Sequence, residues 1–247
     1  CLWGSSPPTV AITESYDGTA WTEVSDLNAA QNEQGSAGTT TSGMSAAGSQ
    51  SPGANVEDWN GASWTANPHS LNSPRQFLAG DGASNNSALM AGGEPSPNGA
   101  LTEVYDGSSW TESGDLNTAR NQLAGTGITT AFIAMGGSTG ADAETFNGTA
   151  WTAVSDMNTG RAFLCASGTS TLALGFAGDP DVAKTESWNG SAWTEVADLA
   201  TGREAGAGSN ITGNTSALMV SGYTTTLVAN TEEWTAADFA IKTVTTS

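Results

Sequence analysis

The chain is short of most of what catalysis and nucleic-acid binding draw on. Its 247 residues include two cysteines, one histidine and six lysines plus arginines, set against 25 acidic residues, for a formal net charge of −19. A surface this acidic repels a phosphate backbone, whose binding relies on cations that displace counterions. It also repels anionic lipid head groups. Two cysteines, Cys1 and Cys165, are too few for a disulfide framework. His69, the single imidazole, cannot build a multi-histidine metal site and reads as a solvated loop residue. No apolar run approaches the roughly 18 residues of a membrane span, so no membrane insertion is expected. No stretch carries a helical apolar period with caps.

What the chain has is a repeated phrase. "TESYDGTAWTEV" at Thr13 returns as "VEDWNGASWTAN" at Val56, "TEVYDGSSWTES" at Thr102, "AETFNGTAWTAV" at Ala143 and "TESWNGSAWTEV" at Thr185, with a worn copy, "TEEWTAADFAIK", at Thr231. The anchoring residues Trp21, Trp64, Trp110, Trp151, Trp193 and Phe239 lie 41 to 46 residues apart. Five residues before each stands another aromatic, and Asp-Gly or Asn-Gly lies between in five of the six copies. That dipeptide supplies the positive φ angles of a tight turn, so each phrase reads as a β-hairpin with an aromatic on each arm. After the hairpin come "DLNT", "DMNT" or "DLAT", an arginine, small residues, and an apolar run ending in glycine, as in "SALMAGG" and "AFIAMGG". Four short strands in about 44 residues fit a propeller blade.

Arg75, Arg120, Arg161 and Arg203 each fall 10 or 11 residues after a repeat tryptophan, and the first unit has Gln31 there. A glutamate recurs on the third strand: Glu14, Glu57, Glu103, Glu144, Glu186 and Glu232. Since a guanidinium forms forked bonds to a carboxylate, each arginine is expected to pair with a repeat glutamate. Small residues four positions further on (Gly35, Ala79, Ala124, Cys165, Ala207) mark an innermost strand crowded at an axis, with Cys165 as a buried space-filler.

The Gly-Gly after the second strand, the Glu-x-aromatic third strand and the tryptophan on the fourth resemble kelch repeats over nearly the whole chain. The resemblance implies an all-β fold, a kelch-like β-propeller of four-stranded antiparallel blades in one domain spanning residues 1–247. Repeat units run 1–26, 27–69, 70–115, 116–156, 157–198 and 199–247. The expected count is six blades with the first incomplete, its earlier strands lying upstream of "CLWGSS"; the alternative is five blades plus an extra hairpin. Gly-Gly decays to Ala47-Gly48, Ala177-Gly178 and Ser221-Gly222.

A propeller fold names no activity. Copper-radical chemistry of the galactose oxidase kind would need more histidines than one. The repeat tryptophans read as packing between blades, whereas the segments after the second strand vary: "SQSPGANV", "EPSPNGAL", "STGADA", "DPDVAK" and "YTTTLVAN". Variable loops on a rigid scaffold are where recognition sits, and Asn98, Asp179, Asp181 and Tyr223 are the candidate ligand-binding residues. No cofactor is implied by any motif; Asp179 and Asp181, with Asp142, are the oxygens a calcium ion would use. The near-identical repeats, rich in glycine, threonine, asparagine and tryptophan, are similar in texture to kelch-like chains among structural proteins of marine bacteriophages. The expectation is a non-enzymatic extracellular or virion-surface protein whose partners are other structural chains or host-surface glycans. The alternatives are a carbohydrate-active enzyme and a multivalent lectin.

Overall fold

The computed structural model describes residues 10–49, 53–95, 97–180, 183–209 and 213–236. Cys1, the strand fragment Leu2 to Gly4, Asp181 and Phe239 lie outside the described residues.

Each hairpin phrase folds alike. In the first, β1 (Glu14–Tyr16) and β2 (Trp21–Glu23) pair antiparallel, with Tyr16 opposite Trp21 and their rings stacked at 5.0 Å. The turn corrects one expectation. Only the glycine takes a positive φ (96° at Gly18), while the preceding Asp acts through its side chain. Asp17 Oδ1 accepts the N–H groups of Thr19 and Ala20, both at 2.8 Å, and Asn60, Asp106, Asn147 and Asn189 accept in the same way. Those two N–H groups hold the Asp17 carboxyl below its ordinary range.

Four blades of four strands follow. The first runs β3 (Gly35–Thr39), β4 (Ser42–Ala46), β5 (Val56–Trp59) and β6 (Trp64–Ala66). The second is β7 (Ala79–Ser84), β8 (Ser87–Ala91), β9 (Thr102–Tyr105) and β10 (Trp110–Glu112). The third is β11 (Ala124–Ile128), β12 (Ala131–Met135), β13 (Ala143–Phe146) and β14 (Trp151–Ala153). The fourth is β15 (Cys165–Gly168), β16 (Ala173–Phe176), β17 (Thr185–Trp188) and β18 (Trp193–Glu195). A fifth blade has three strands among the described residues, β19 (Ala207–Gly208), β20 (Ser216–Tyr223) and β21 (Leu227–Thr235). Every pairing is antiparallel between sequence neighbours. Among the described residues the sole helical turn is a single 3₁₀ turn at Asn98–Ala100.

The inner strands β3, β7, β11, β15 and β19 touch in that order around an axis. The molecule is therefore a β-propeller of five blades plus the hairpin β1–β2, the second of the two counts that the sequence allowed. The hairpin stands between the fifth blade and the first. Trp21 Nε1 donates to Thr231 Oγ1 at 3.0 Å on one side, and Trp64 Nε1 donates to Thr13 Oγ1 at 3.0 Å on the other. The same bond recurs inside the ring, where Trp151 Nε1 donates to Thr102 Oγ1 at 2.9 Å.

The core lies between blades. One buried cluster joins Met44 and Val56 of the first blade to Leu78, Met90, Tyr105 and Trp110 of the second. Equivalent clusters join the second blade to the third, the third to the fourth and the fourth to the fifth, and Trp59 and Trp64 join Leu27 beside the hairpin. Trp64, Trp110, Trp151 and Trp193 are all buried. Rings of this size carry much of a core's stabilisation, so the repeated phrase is a building block.

Candidate functional site

The repeat's charged residues meet inside the second to fifth blades. Arg75 Nη2 lies 3.0 Å from Glu103 Oε1, Arg120 Nη1 2.6 Å from Glu144 Oε1, and Arg161 Nη2 3.2 Å from Glu186 Oε1, with every partner buried. Arg203 Nη2 comes within 2.9 Å of Glu232 Oε1, off the line of a hydrogen bond. The glutamate has further donors that sequence reasoning missed. Asn117 donates to Glu144 Oε2 from its backbone N–H (2.8 Å) and its side-chain amide (2.7 Å), while Thr118 N–H donates to Oε1 at 3.2 Å. Asn28, Asn72 and Asn158 clasp Glu57, Glu103 and Glu186 through the same backbone contact. The asparagine of "DLNT" was visible as a repeat, and its spacing before the arginine was the signal. These groups fix where each third strand sits against the segment entering the inner strand.

Two residues beyond each arginine, and beyond Gln31 in the first unit, the backbone turns left-handed: Glu33, Phe77, Gln122, Phe163 and Ala205 have φ between 53° and 62°. Bulky side chains avoid this region at a cost of about 1–2 kcal/mol. Hydrogen bonds offset it. Phe77 N–H donates to Glu33 O at 2.9 Å, Gln122 to Phe77 O at 2.8 Å, Phe163 to Gln122 O at 2.9 Å and Ala205 to Phe163 O at 3.0 Å. The result is a chain of backbone bonds passing from blade to blade around the axis mouth. Phe77 and Phe163, from alternate blades, meet edge to face at 5.8 Å.

The variable loops begin at this mouth. Glu94, Asp179 and Tyr223 each bridge to the residue just before or after the arginine-proximal turn, at Gln76, Ala162 and Glu204 respectively. Asp179 and Tyr223, both exposed, thus sit on one face in adjacent blades. Asn98 lies in the 3₁₀ turn of the second blade's loop. Two carboxylate pairs straddle the mouth. Burial, and then the charge of Glu94, push the Glu33 carboxyl up, and burial followed by Asp179 does the same to Glu204. Between the second and third blades an open pocket of ≈ 570 Å³, counting space continuous with solvent, is lined by Glu94, Pro97, Asn121 and Ser138. Asn121 Nδ2 and Gln76 Nε2 donate to the two Glu94 oxygens at 2.8 and 2.9 Å and hold the carboxylate at its edge.

Elsewhere, His69 is exposed in the loop after β6; its ring lies 6.4 Å from Tyr105, and its carbonyl accepts from Trp110 Nε1 at 3.1 Å. Among the described residues, no three His, Cys, Asp or Glu side chains gather closely enough to hold a metal ion. Cys165 is buried in its alanine-type slot on β15, and burial pushes its thiol up to about 12. A thiolate is the reactive form, so Cys165 is expected to resist alkylation at pH 8 in native protein and to react on unfolding. Peptide mapping of iodoacetamide-treated samples checks this; native-state labelling of Cys165 would contradict the packing described.

A second cleft runs from the hairpin to the axis. It is bounded by Tyr16 and Trp21, by Ser36 and Trp59 of the first blade, and by Leu218 and Val220 of the fifth, and it reaches Asp81 at the axis.

No family model matches the sequence, and no curated protein matches it. The fold has counterparts among solved structures. The chain is similar to the structure of YjhT, with a TM-score of 0.73 over 96% of this chain and 98% of that one, at 14% identity. Likeness at that identity places the chain among β-propellers by fold.

Proposed function

We propose that the protein is a non-enzymatic extracellular or virion-surface propeller, acting in structural decoration or adhesion and holding host-surface glycans through the loops of its mouth face. One observation carries the reading. The repeated tryptophans, arginines, glutamates and asparagines are engaged in packing and internal bonds, whereas sequence variation collects in the loops of one face, where Glu94 and Ser138 line an open pocket between the second and third blades and Asp179 and Tyr223 are exposed on the fourth and fifth. Short polar side chains with a nearby aromatic suit sugar hydroxyls and a sugar's apolar face. The kelch-like pattern and the phage-like repeat texture support a particle-surface location. A net charge of −19 and the paired carboxylates at the mouth favour neutral or amino sugars over sialylated ones.

A glycan array tests the proposal. Binding to neutral glycans is expected, reduced by Tyr223→Ala or Glu94→Ala at unchanged melting temperature. A blank array would remove the glycan ligand, and release of free sugar from bound glycans would overturn the non-enzymatic reading.

A further inference from the structure

The first blade keeps the repeat glutamate but not its arginine. Glu57 is 3% exposed and is held by the same clasp as its counterparts. Asn28 donates to Oε2 from its backbone N–H (2.8 Å) and its side-chain amide (2.6 Å), and Ala29 N–H donates to Oε1 at 3.1 Å. Where the later blades carry arginine stands Gln31, 1% exposed. Among the described residues Glu57 forms no ion pair. Residues 1–74 contain no lysine or arginine at all. The four arginines and Lys184 are paired elsewhere, and Lys242 lies outside the described residues.

The second blade shows what the arginine does. Arg75 Nη1 donates to Gly92 O at 2.9 Å and to Leu101 O at 2.7 Å, and Nη2 donates to Glu103 Oε1 at 3.0 Å. Arg161 repeats the pattern on Ala177 O, Lys184 O and Glu186 Oε1. A backbone bond frames the two carbonyls: Gly92 N–H to Leu101 O in the second blade, Ala47 N–H to Asn55 O in the first. Ala47 O, Asn55 O and Glu57 Oε1 therefore form the same three-oxygen cradle. Glutamine is shorter than arginine, and the buried Gln31 Nε2 has no hydrogen-bond partner, so its amide donor reaches none of the three. The amide lies next to them, because a Cβ at Gly48, the residue after Ala47, would stand 3.3 Å from Gln31 Oε1.

We propose that this cradle binds one small monovalent cation, of potassium or ammonium size, in place of the guanidinium. A buried carboxylate is costly without a counter-ion, and N–H donors offset only part of that cost. The ligand atoms are all oxygens, which suit hard cations. The single carboxylate balances a single positive charge. In the second blade the cradle holds nitrogen at 2.7–3.0 Å, wider than the roughly 2.0–2.6 Å at which magnesium and calcium hold oxygen. A half-turn of the Gln31 carboxamide exchanges its two ends and turns its oxygen to the ion as a fourth ligand. The ion then ties β5 to the segment entering β3, as an arginine does in the later blades.

The test compares melting temperatures of the full chain in potassium chloride and in tetramethylammonium chloride, each at about 0.1 M, so that screening is equal and only the smaller cation fits. Potassium is expected to raise the melting temperature by about 3 °C or more, with saturation as its concentration rises. Ammonium chloride is expected to do the same. Gln31→Arg carries its own cation into the cradle. It is expected to melt higher than the parent in tetramethylammonium and to show no response to potassium. Glu57→Gln is expected to lose the response as well, and Gln31→Arg decides the matter if that variant fails to fold. Equal melting of the parent in both salts, or a potassium response that Gln31→Arg retains, overturns the proposal. So does a Gln31→Arg chain less stable than the parent in tetramethylammonium, because the cradle then has no room for a cation.

Discussion

Replacing Glu144 with glutamine is expected to cost about 3–5 kcal/mol of unfolding free energy, because it leaves the Arg120 guanidinium charged and buried without its counter-ion. Arg120 Nη1 lies 2.6 Å from Glu144 Oε1, and both side chains are almost wholly removed from solvent. Glutamine keeps the shape but only one acceptor, so of the Asn117 N–H on Oε2 and the Thr118 N–H on Oε1 one loses its partner as the charge is lost. Arg120→Met alone should cost a similar amount, and the Glu144→Gln, Arg120→Met double variant less than the sum, because neither then strands the other. Urea titrations of the four proteins read this directly as shifts in midpoint at constant slope. Additive losses would show that the pair is not coupled. The pair also carries a pH signature. Burial acts to raise the Glu144 carboxyl, but the Asn117 N–H, Arg120 and the Asn117 amide outweigh it and leave the group below its ordinary 4.5. A depressed folded value means that the stabilisation is complete above about pH 4.5 and is lost as pH falls through the folded value. Glu144→Gln should therefore flatten the acid limb of the stability curve.

Much of this was legible in the sequence because the repeat makes its own comparison. A strand pattern that occurs once is ambiguous, but five aromatic pairs flanking Asp-Gly or Asn-Gly left little choice, and Tyr16–Trp21, Trp59–Trp64 and Tyr105–Trp110 do face each other across their hairpins. Spacing alone paired arginine with glutamate, since a buried guanidinium in an acidic chain needs a carboxylate within reach. Less visible was anything decided by the backbone. That Glu33, Phe77 and Phe163 turn left-handed runs against their propensity, and only the bonds between neighbouring blades reveal why they do. The blade count was left between two alternatives, because Trp21, which reads as one more repeat anchor, gives no hint that its indole reaches Thr231 near the other end of the described chain. The candidate ligand residues were the least legible. Variation marked the loops that begin at the mouth, but it could not tell that Glu94 and Asn121 line a pocket while Asn98 falls in a 3₁₀ turn.

Asp81 is the case in which chemistry departs most from the repeat. Its equivalents on the other inner strands are Ala37, Thr126, Ser167 and Ser209, all uncharged. Asp81 is 5% exposed at the axis, and burial pushes its carboxyl up to about 7 against the pull of the Gly127 and Gly82 N–H groups and the Thr126 hydroxyl. The hydrogen-bond count points the same way. Thr126 Oγ1 has one hydrogen but lies 3.0 Å from Asp81 Oδ2 and 2.9 Å from Gly168 O, which can only accept. When the carboxyl is protonated it can donate to Thr126, whose hydrogen then serves Gly168, and three inner strands are tied together. When it is ionised, Thr126 must turn to Asp81 and the Gly168 carbonyl loses its donor. The sign follows. A carboxyl whose folded value is raised binds a proton more readily folded than unfolded, so its stabilisation is complete below the unfolded value of 3.8 and is lost as pH rises through about 7. A rise of about three pH units corresponds to roughly 4 kcal/mol. Asp81→Asn cannot titrate and offers an amide N–H to Thr126 at every pH. The stability of Asp81→Asn relative to the parent is therefore expected to climb by roughly 4 kcal/mol between pH 4 and pH 8, most of it before pH 7. Denaturant titrations of both proteins across that range measure the difference, which cancels every carboxylate they share. A difference that stays constant with pH would mean that Asp81 is ionised throughout and that water, not burial, governs the axis.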